Sequence, residues 1–407
     1  MTTSSVSYPK LRAVDPRPLI HEGRPMFLLR DPLQLTEYIL LVPQQLAPVL
    51  ALCDGTRENA RTLALGFALR FGVMIDESVI DQLLAALDEA LLLDNDRYHQ
   101  ARSRATDEYR RSPYRPPALA GKAYPEDAAD LRRMLGGFVE ELETVPQPFD
   151  GRGVISPHID YARGGPVYAR VWKAAEKSAR EADLVVVFGT DHYGGDSKVT
   201  LTRQNYATPF GVLPTALAIV DALAAVVGED TAFEGEFRHR SEHSIELAAV
   251  WLHYIRGEQA VEMVPILCGS FARFIQAGEN PESDAQINTM LEVLEETTAG
   301  RRVMIVAAAD LAHIGPAFGG EAVDARAREE LKESDEELIE FMSAGDAAGF
   351  FDAIKRVEDR NNVCGVSPIY LALRMLAGAR GQSVAYDRCP ADPNLTSFVS
   401  VCGVVLG

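Results

Sequence analysis

Gly153-Val154-Ile155-Ser156-Pro157-His158-Ile159-Asp160-Tyr161-Ala162-Arg163-Gly164-Gly165 is the stretch whose reading decides the fold. It reads as a short apolar strand that Pro157 stops, then one histidine, then a turn through two glycines into a helix. Residues just past the carboxyl ends of strands in an α/β sheet are where ligands bind. The construction recurs twice. Leu184-Val185-Val186-Val187-Phe188, an unbroken run of the kind buried on both faces of a sheet, leads into Gly189-Thr190-Asp191-His192-Tyr193-Gly194-Gly195. Residues 303–309 lead into Asp310-Leu311-Ala312-His313-Ile314-Gly315. A single strand-end histidine is ordinarily a hydrogen-bonded loop residue. Here the pattern repeats on three strands, and six of the eight histidines fall between His158 and His313. That repetition predicts parallel neighbours whose ends converge on one crevice.

Outward from this stretch, helices and strands alternate from about residue 118 to residue 407, which predicts an α/β domain with a central, mostly parallel or mixed sheet flanked by helices. Further strands are expected over 261–267, 383–387 and 397–406, with Pro265 implying a strand end or edge. Two more segments carry chemistry. In Ser241-Glu242-His243-Ser244-Ile245-Glu246, His243 and Glu246 fall on one face of a helix start, either as a capped surface pair or facing a substrate. Cys364, in Asn361-Asn362-Val363-Cys364-Gly365, is open between a buried structural thiol and one acidified by the helix that follows.

Residues 1–99 have a different rhythm. Apolar runs at 25–30 and 38–43 read as strands. Val79, Leu83, Leu87 and Leu91 stand four apart on an amphipathic helix with Asp76 and Ser78 as capping candidates. Arg97-Tyr98 is expected to begin a wing strand, which gives a small winged-helix-like α+β domain. Residues 100–117, Arg-rich and then Pro-rich, are expected to be an extended linker.

The composition limits the functions available. Hydrophobic residues make up 47% and charged residues 24% of the 407 positions, and the net charge of −19 disfavours general binding to nucleic acid or anionic membranes. Residues 1–115 carry 14 Lys/Arg against 15 Asp/Glu, so the first domain is not basic and a docking role suits it better than DNA reading. No apolar run is long enough for a membrane helix, and the first residues hold no secretory signal, so a cytoplasmic protein is expected. Five scattered cysteines without a Cys-x-x-Cys pair argue against a disulfide framework or a Cys-rich zinc site.

Taken in order, Pro157-His158, Gly189-Thr190-Asp191-His192, Glu242-His243-Ser244-Ile245-Glu246, Asp310-Leu311-Ala312-His313-Ile314-Gly315 and Asn362-Val363-Cys364-Gly365 resemble the MEMO family, whose prokaryotic members are called AmmeMemoRadiSam system protein B. Gly121-Lys122-Ala123-Tyr124-Pro125 and the Tyr206-Ala207-Thr208-Pro209 turn extend the resemblance over residues 118–407. The first domain is weakly similar to PqqD-like peptide-binding modules. The family resemblance implies the fold of class III extradiol dioxygenases. It also implies metal ligands at His158, His192 and Cys364, with Asp310 and His313 close by and His243 as a further catalytic candidate. The dioxygenases use two histidines and a carboxylate. A cysteine in the carboxylate's place is softer and suits iron, copper or zinc; the resemblance implies Fe(II) first, with zinc or copper as the other candidates, and dioxygenase activity does not simply carry over. Three functions stay open. The first is a non-haem-iron oxidoreductase acting on a small aromatic or peptide substrate. The second is a non-catalytic metal-binding or docking subunit working with radical-SAM and AMMECR1-like partners. The third is a zinc- or Cys-dependent hydrolase.

Overall fold

The computed structural model describes residues 8–14, 16–195 and 199–407. The chain divides into two compact units, Met1–Arg111 and Ser112–Gly407.

The first unit opens with an antiparallel meander of β1 (Arg17–His21), β2 (Arg24–Arg30) and β3 (Ile39–Pro43). Helices Ala47–Leu52, Ala60–Phe71, Glu77–Glu89 and Asp96–Arg111 follow. Of the residues spaced four apart, Leu83 and Leu87 enter a core with Leu29, Val42, Leu63 and Phe67, but Val79 is exposed, Leu91 lies past the helix end, and Ile80 takes the inward position instead. Asp76 is the cap of the third helix, its side chain accepting from the Ser78 N–H. Two expectations fail here. Arg97 and Tyr98 lie inside a helix, so the strands of this unit precede its helices and no wing strand follows them among the described residues. The stretch expected to be an extended linker is helical as far as Arg111. Tyr98 and Tyr109 are buried on one side of it, and Asn95 accepts the Tyr98 N–H at its start. Its arginines mask an amphipathic pattern when only composition is read. Past Arg111, Arg115 is fully buried in the second unit.

In the second unit the strands are β4 (Gly153–Ser156), β5 (Leu184–Thr190), β6 (Val199–Leu201), β7 (Tyr206–Thr208), β8 (Gly211–Leu213), β9 (Glu262–Cys268), β10 (Val303–Ala308), β11 (His313–Ile314), β12 (Gly381–Pro390) and β13 (Phe398–Leu406). Apart from the β7–β8 hairpin they form one sheet in the order β11-β13-β4-β10-β5-β9-β6, with β12 also paired to β13. The middle four strands are parallel, and β13 and β6 join antiparallel, so the sheet is mixed. The three histidine-bearing strands are adjacent, as expected: Ser156 pairs with Ala308, and Ala308 with Gly189, so the chain leaves all three at one level.

Period-two geometry explains why these strands need continuous apolar runs. Leu184, Val186 and Phe188 enter one core with Ile155, Ile305 and Ala307. Val185 and Val187 enter a second core on the opposite face with Val154, Met304, Val306 and Ala308. Helices including Leu217–Val227, Ala285–Thr298 and Val366–Met375 cover the first face, and Ala128–Glu140, Tyr161–Ala174 and Ser244–Ile255 cover the second. Each valine or leucine buried this way contributes on the order of 1.5–3 kcal/mol of transfer free energy. Pro265 lies within β9, yet β6 pairs only with residues 266–268, so its missing N–H costs no ladder bond to that neighbour. Gly164 and Gly165 do not make a turn: they lie inside the helix Tyr161–Ala174, where a side chain at Gly165 would strike the Phe138 ring.

Candidate metal centre

Beyond the carboxyl ends of the parallel strands β4, β10 and β5, His158, His192 and Cys364 come together, with one ligand atom of each within 4.8 Å of the others. Each arrives by a different device. His158 follows the break at Pro157, and its Nδ1 meets the Ala308 carbonyl at 2.9 Å. Nδ1 must therefore carry the proton, which leaves Nε2 as the lone-pair donor turned to Cys364 Sγ at 3.3 Å. Asp310 Oδ1 accepts from the backbone N–H groups of His158 (2.8 Å) and Ile159 (3.2 Å), while Oδ2 stands 3.7 Å from His158 Nε2. This carboxylate, buried at the end of β10, thus clamps the loop of β4 and leans on the first ligand.

His192 and His243 are organised by Glu242, which is 3% exposed. Glu242 Oε2 accepts the His192 N–H at 3.1 Å, and Oε1 accepts the His243 N–H at 2.7 Å and the Ser244 N–H at 3.0 Å. Both oxygens also lie 3.1 Å from His192 Nδ1, and Oε1 lies 3.2 Å from His243 Nδ1. The two rings stack at 4.7 Å and 17°, with the His158 ring edge-on to each. His192, Glu242 and His243 also have ligand atoms within 4.8 Å of one another. Because Glu242 already accepts three backbone donors, it is suited to orient the imidazoles so that their Nε2 atoms stay free.

Cys364 is held in a turn whose backbone hydrogen-bonds the β10 loop: Cys364 N–H donates to the Leu311 carbonyl, and Gly365 N–H to the Asp310 carbonyl at 3.1 Å. A Cβ on Gly365 would lie 2.5 Å from the Asp310 oxygen, so glycine is what permits this approach. Burial alone would raise the Cys364 thiol, but His158 and His192 outweigh it and bring it down to about 5. Conversely, burial would lower His158, and Asp310 with Cys364 overcomes that and raises it to about 9. The two shifts bias the metal-free pair toward thiolate and imidazolium. With a metal, the proton on Nε2 must leave. The fit is sound: a tetrahedral ion with Nε2 at about 2.1 Å and Sγ at about 2.3 Å holds those atoms about 3.6 Å apart, close to the 3.3 Å found. Two imidazoles and a thiolate suit iron, zinc or copper.

A family model described as Memo-like protein matches residues 115–405. The chain belongs to the MEMO family. A MEMO1 family protein of Aquifex aeolicus is 26% identical over 405 residues, covering 98% of this chain and 99% of its own length. That alignment takes in both units. A MEMO1 family protein of Methanosarcina mazei is 31% identical over 278 residues, 67% of this chain and 91% of the relative. Family membership agrees with the mixed α/β sheet and its extradiol-dioxygenase-like arrangement.

The remaining sequence candidates separate in space. His313 lies on β11, its Nδ1 3.2 Å from the Leu311 carbonyl and its ring edge-on to Phe318 at 5.0 Å, outside the converging ligand atoms. The His243–Glu246 pairing does not form. Glu246 turns the other way, accepting from Ala118 N–H, Leu119 N–H and the Tyr124 hydroxyl and pairing with the buried Arg115. Arg115 in turn donates to the carbonyls of His239 (2.6 Å) and Glu242 (2.8 Å). Sequence reasoning assigned no role to Glu242 or Arg115, although Glu242 stands directly before His243 in a segment already singled out. A cavity of about 640 Å³ opens onto His192 and Cys364 and gives the centre its access. No helix among the described residues is long and apolar enough to cross a membrane.

Proposed function

We propose that this MEMO-family protein holds one divalent metal on His158, His192 and Cys364 and is a non-haem-iron oxidoreductase acting on a small molecule admitted by the adjoining cavity. The observation that carries this reading is the preparation of the three donors. His158 and His192 each have the second ring nitrogen anchored, Cys364 is biased to thiolate, and a cavity reaches two of the three. Iron bound there would supply a redox-active Lewis acid with coordination positions open to substrate. The chain's own part is to anchor the Nδ1 side of both imidazoles so that their Nε2 atoms face the ion, to hold the β4 loop through Asp310, and to offer His313 and His243 as proton carriers.

Metal analysis of protein purified without added metal tests the centre, followed by oxygen uptake with catechols after anaerobic iron loading. Stoichiometric iron with uptake is expected. Retention of metal in both His158→Ala and Cys364→Ser would refute the ligand assignment, and stoichiometric zinc with hydrolytic turnover would replace the redox reading.

A second reading is favoured by the first unit, where Leu65 and Leu69 are 52% and 89% exposed on one helix and Met74 beyond it is 76% exposed. Such a patch marks a protein contact. In this reading the unit docks a peptide or a radical-SAM or AMMECR1-like partner, and the metal centre is delivered rather than turned over. Tight metal without uptake, together with partner capture that Leu69→Asp abolishes, would support it.

A further inference from the structure

We propose that the cavity beside Cys364 and His192 binds a small cationic ligand, an apolar ring-sized body ending in a protonated amine; the assignment rests on reading that cavity as the approach to the metal centre. The charges lining it are unbalanced. Among the described residues no lysine or arginine lines it, whereas Asp191, Glu358 and Asp359 do. Asp191 is matched by Arg238 at 2.8 Å, which leaves two carboxylates. Asp359 is half-buried: its Oδ1 accepts the Val363 N–H at 2.8 Å, and Oδ2 has no hydrogen-bond partner among the described residues. Glu358 is exposed at the rim and makes no ion pair among the described residues.

A second feature points to a ligand independently of charge. Ser367 lines the cavity at 3% exposure, and its hydroxyl has no hydrogen-bond partner among the described residues. This hydroxyl opens to the cavity, where it can accept a hydrogen bond from a ligand's polar group. Phe271, Ile275 and Val366 add apolar surface to the same lining. An apolar wall with a few convergent polar groups is how small-molecule sites fix orientation. Here an ammonium would be retained by charge-assisted hydrogen bonds and a carboxylate repelled.

The test is calorimetric titration of the full-length, metal-loaded protein at pH 7.5 with three probes of one body: phenethylamine, 2-phenylethanol and 3-phenylpropionate. Phenethylamine is expected to bind at least about tenfold tighter than the alcohol, and the carboxylate most weakly. The double variant Glu358→Gln/Asp359→Asn is expected to bring the three within about threefold, and Ser367→Ala to weaken the amine by about three- to tenfold, each with metal content unchanged. Equal affinity for amine and carboxylate, or a preference that survives in the double variant, overturns the assignment. Absence of metal from the wild-type protein with the amine preference intact would instead count against the metal-centre reading alone.

Discussion

Glu242→Gln is the most informative single change in this protein. The carboxylate accepts three backbone N–H groups, one at Oε2 and two at Oε1, and faces both His192 and His243 Nδ1. Glutamine keeps the shape but replaces one oxygen with an NH₂ donor. Neither flip is satisfactory, because every position of that NH₂ sets donor against donor. Placed at Oε2 it opposes the His192 N–H; placed at Oε1 it opposes two N–H groups at the helix start. The Oε2 placement loses less, so His192 is the group released. One buried donor left unpaired costs about 1–3 kcal/mol, a fall of roughly 2–5 °C in the melting temperature of a unit this size. Loss of an anchor on a ligating histidine typically costs about 10–100-fold in metal affinity. The assay is competition with a calibrated chelator, alongside thermal melts of the metal-free protein. A fully folded variant whose metal affinity lies within about twofold of wild type would refute the claim that Glu242 sets the second ligand.

Three further outcomes follow from the geometry. His313→Ala should keep full metal content while lowering any turnover, because His313 stands outside the ligand group; metal loss would show that it is a ligand. Gly365→Ala should push the Cys364 turn off the β10 loop, since its Cβ would meet the Asp310 carbonyl at 2.5 Å and the Ala309 Cβ at 2.8 Å. Weaker metal binding and about 1–3 kcal/mol of lost stability in urea melts are expected, and an unperturbed variant would contradict the packing. Asp335 is fully buried beside the Tyr386 hydroxyl, and burial raises its carboxyl to about 6. Raised above its unfolded value, it penalises folding as pH climbs from about 4 through about 6. Asp335→Asn should therefore stabilise the protein by about 3 kcal/mol at pH 7.5 and by little at pH 4, as urea titrations at the two pH values would show; an equal effect at both would refute the cause.

Much of the site was legible in the chain because its elements announce themselves locally. An unbroken run such as Leu184–Phe188 can only be a strand covered on both faces, and a proline or glycine at its end fixes where the backbone leaves the sheet. Hence His158, His192 and the Asp310-Leu311-Ala312-His313 loop were placed at strand ends before any pairing was known, and Ser156, Ala308 and Gly189 do share one level. The errors lie where composition hides geometry. Residues 100–111 look like linker because arginine dominates, yet Tyr98 and Tyr109 give the helix a buried side. His243 and Glu246 are correctly spaced to share a helix face, but helical spacing alone does not determine what each side chain meets.

By itself, then, the sequence determined the central strands of the sheet, their order of chemistry along the chain, and the three donors that family resemblance marks as ligands, while the short strands β1, β6, β7, β8 and β11 were not legible in it. These depend on periodicity, chain-breaking residues and short motifs, all encoded within a few positions. Only the tertiary structure decided that Glu242 orients two histidines, that Arg115 and Glu246 form a buried pair behind them, and that an acidic cavity opens on Cys364. Most of these contacts join residues distant in the chain, Glu242 to His192 by 50 positions and Arg115 to Glu246 by more than a hundred, and all depend on which groups are excluded from water together. Burial and partner choice are properties of the packed fold, and neither is written in local sequence.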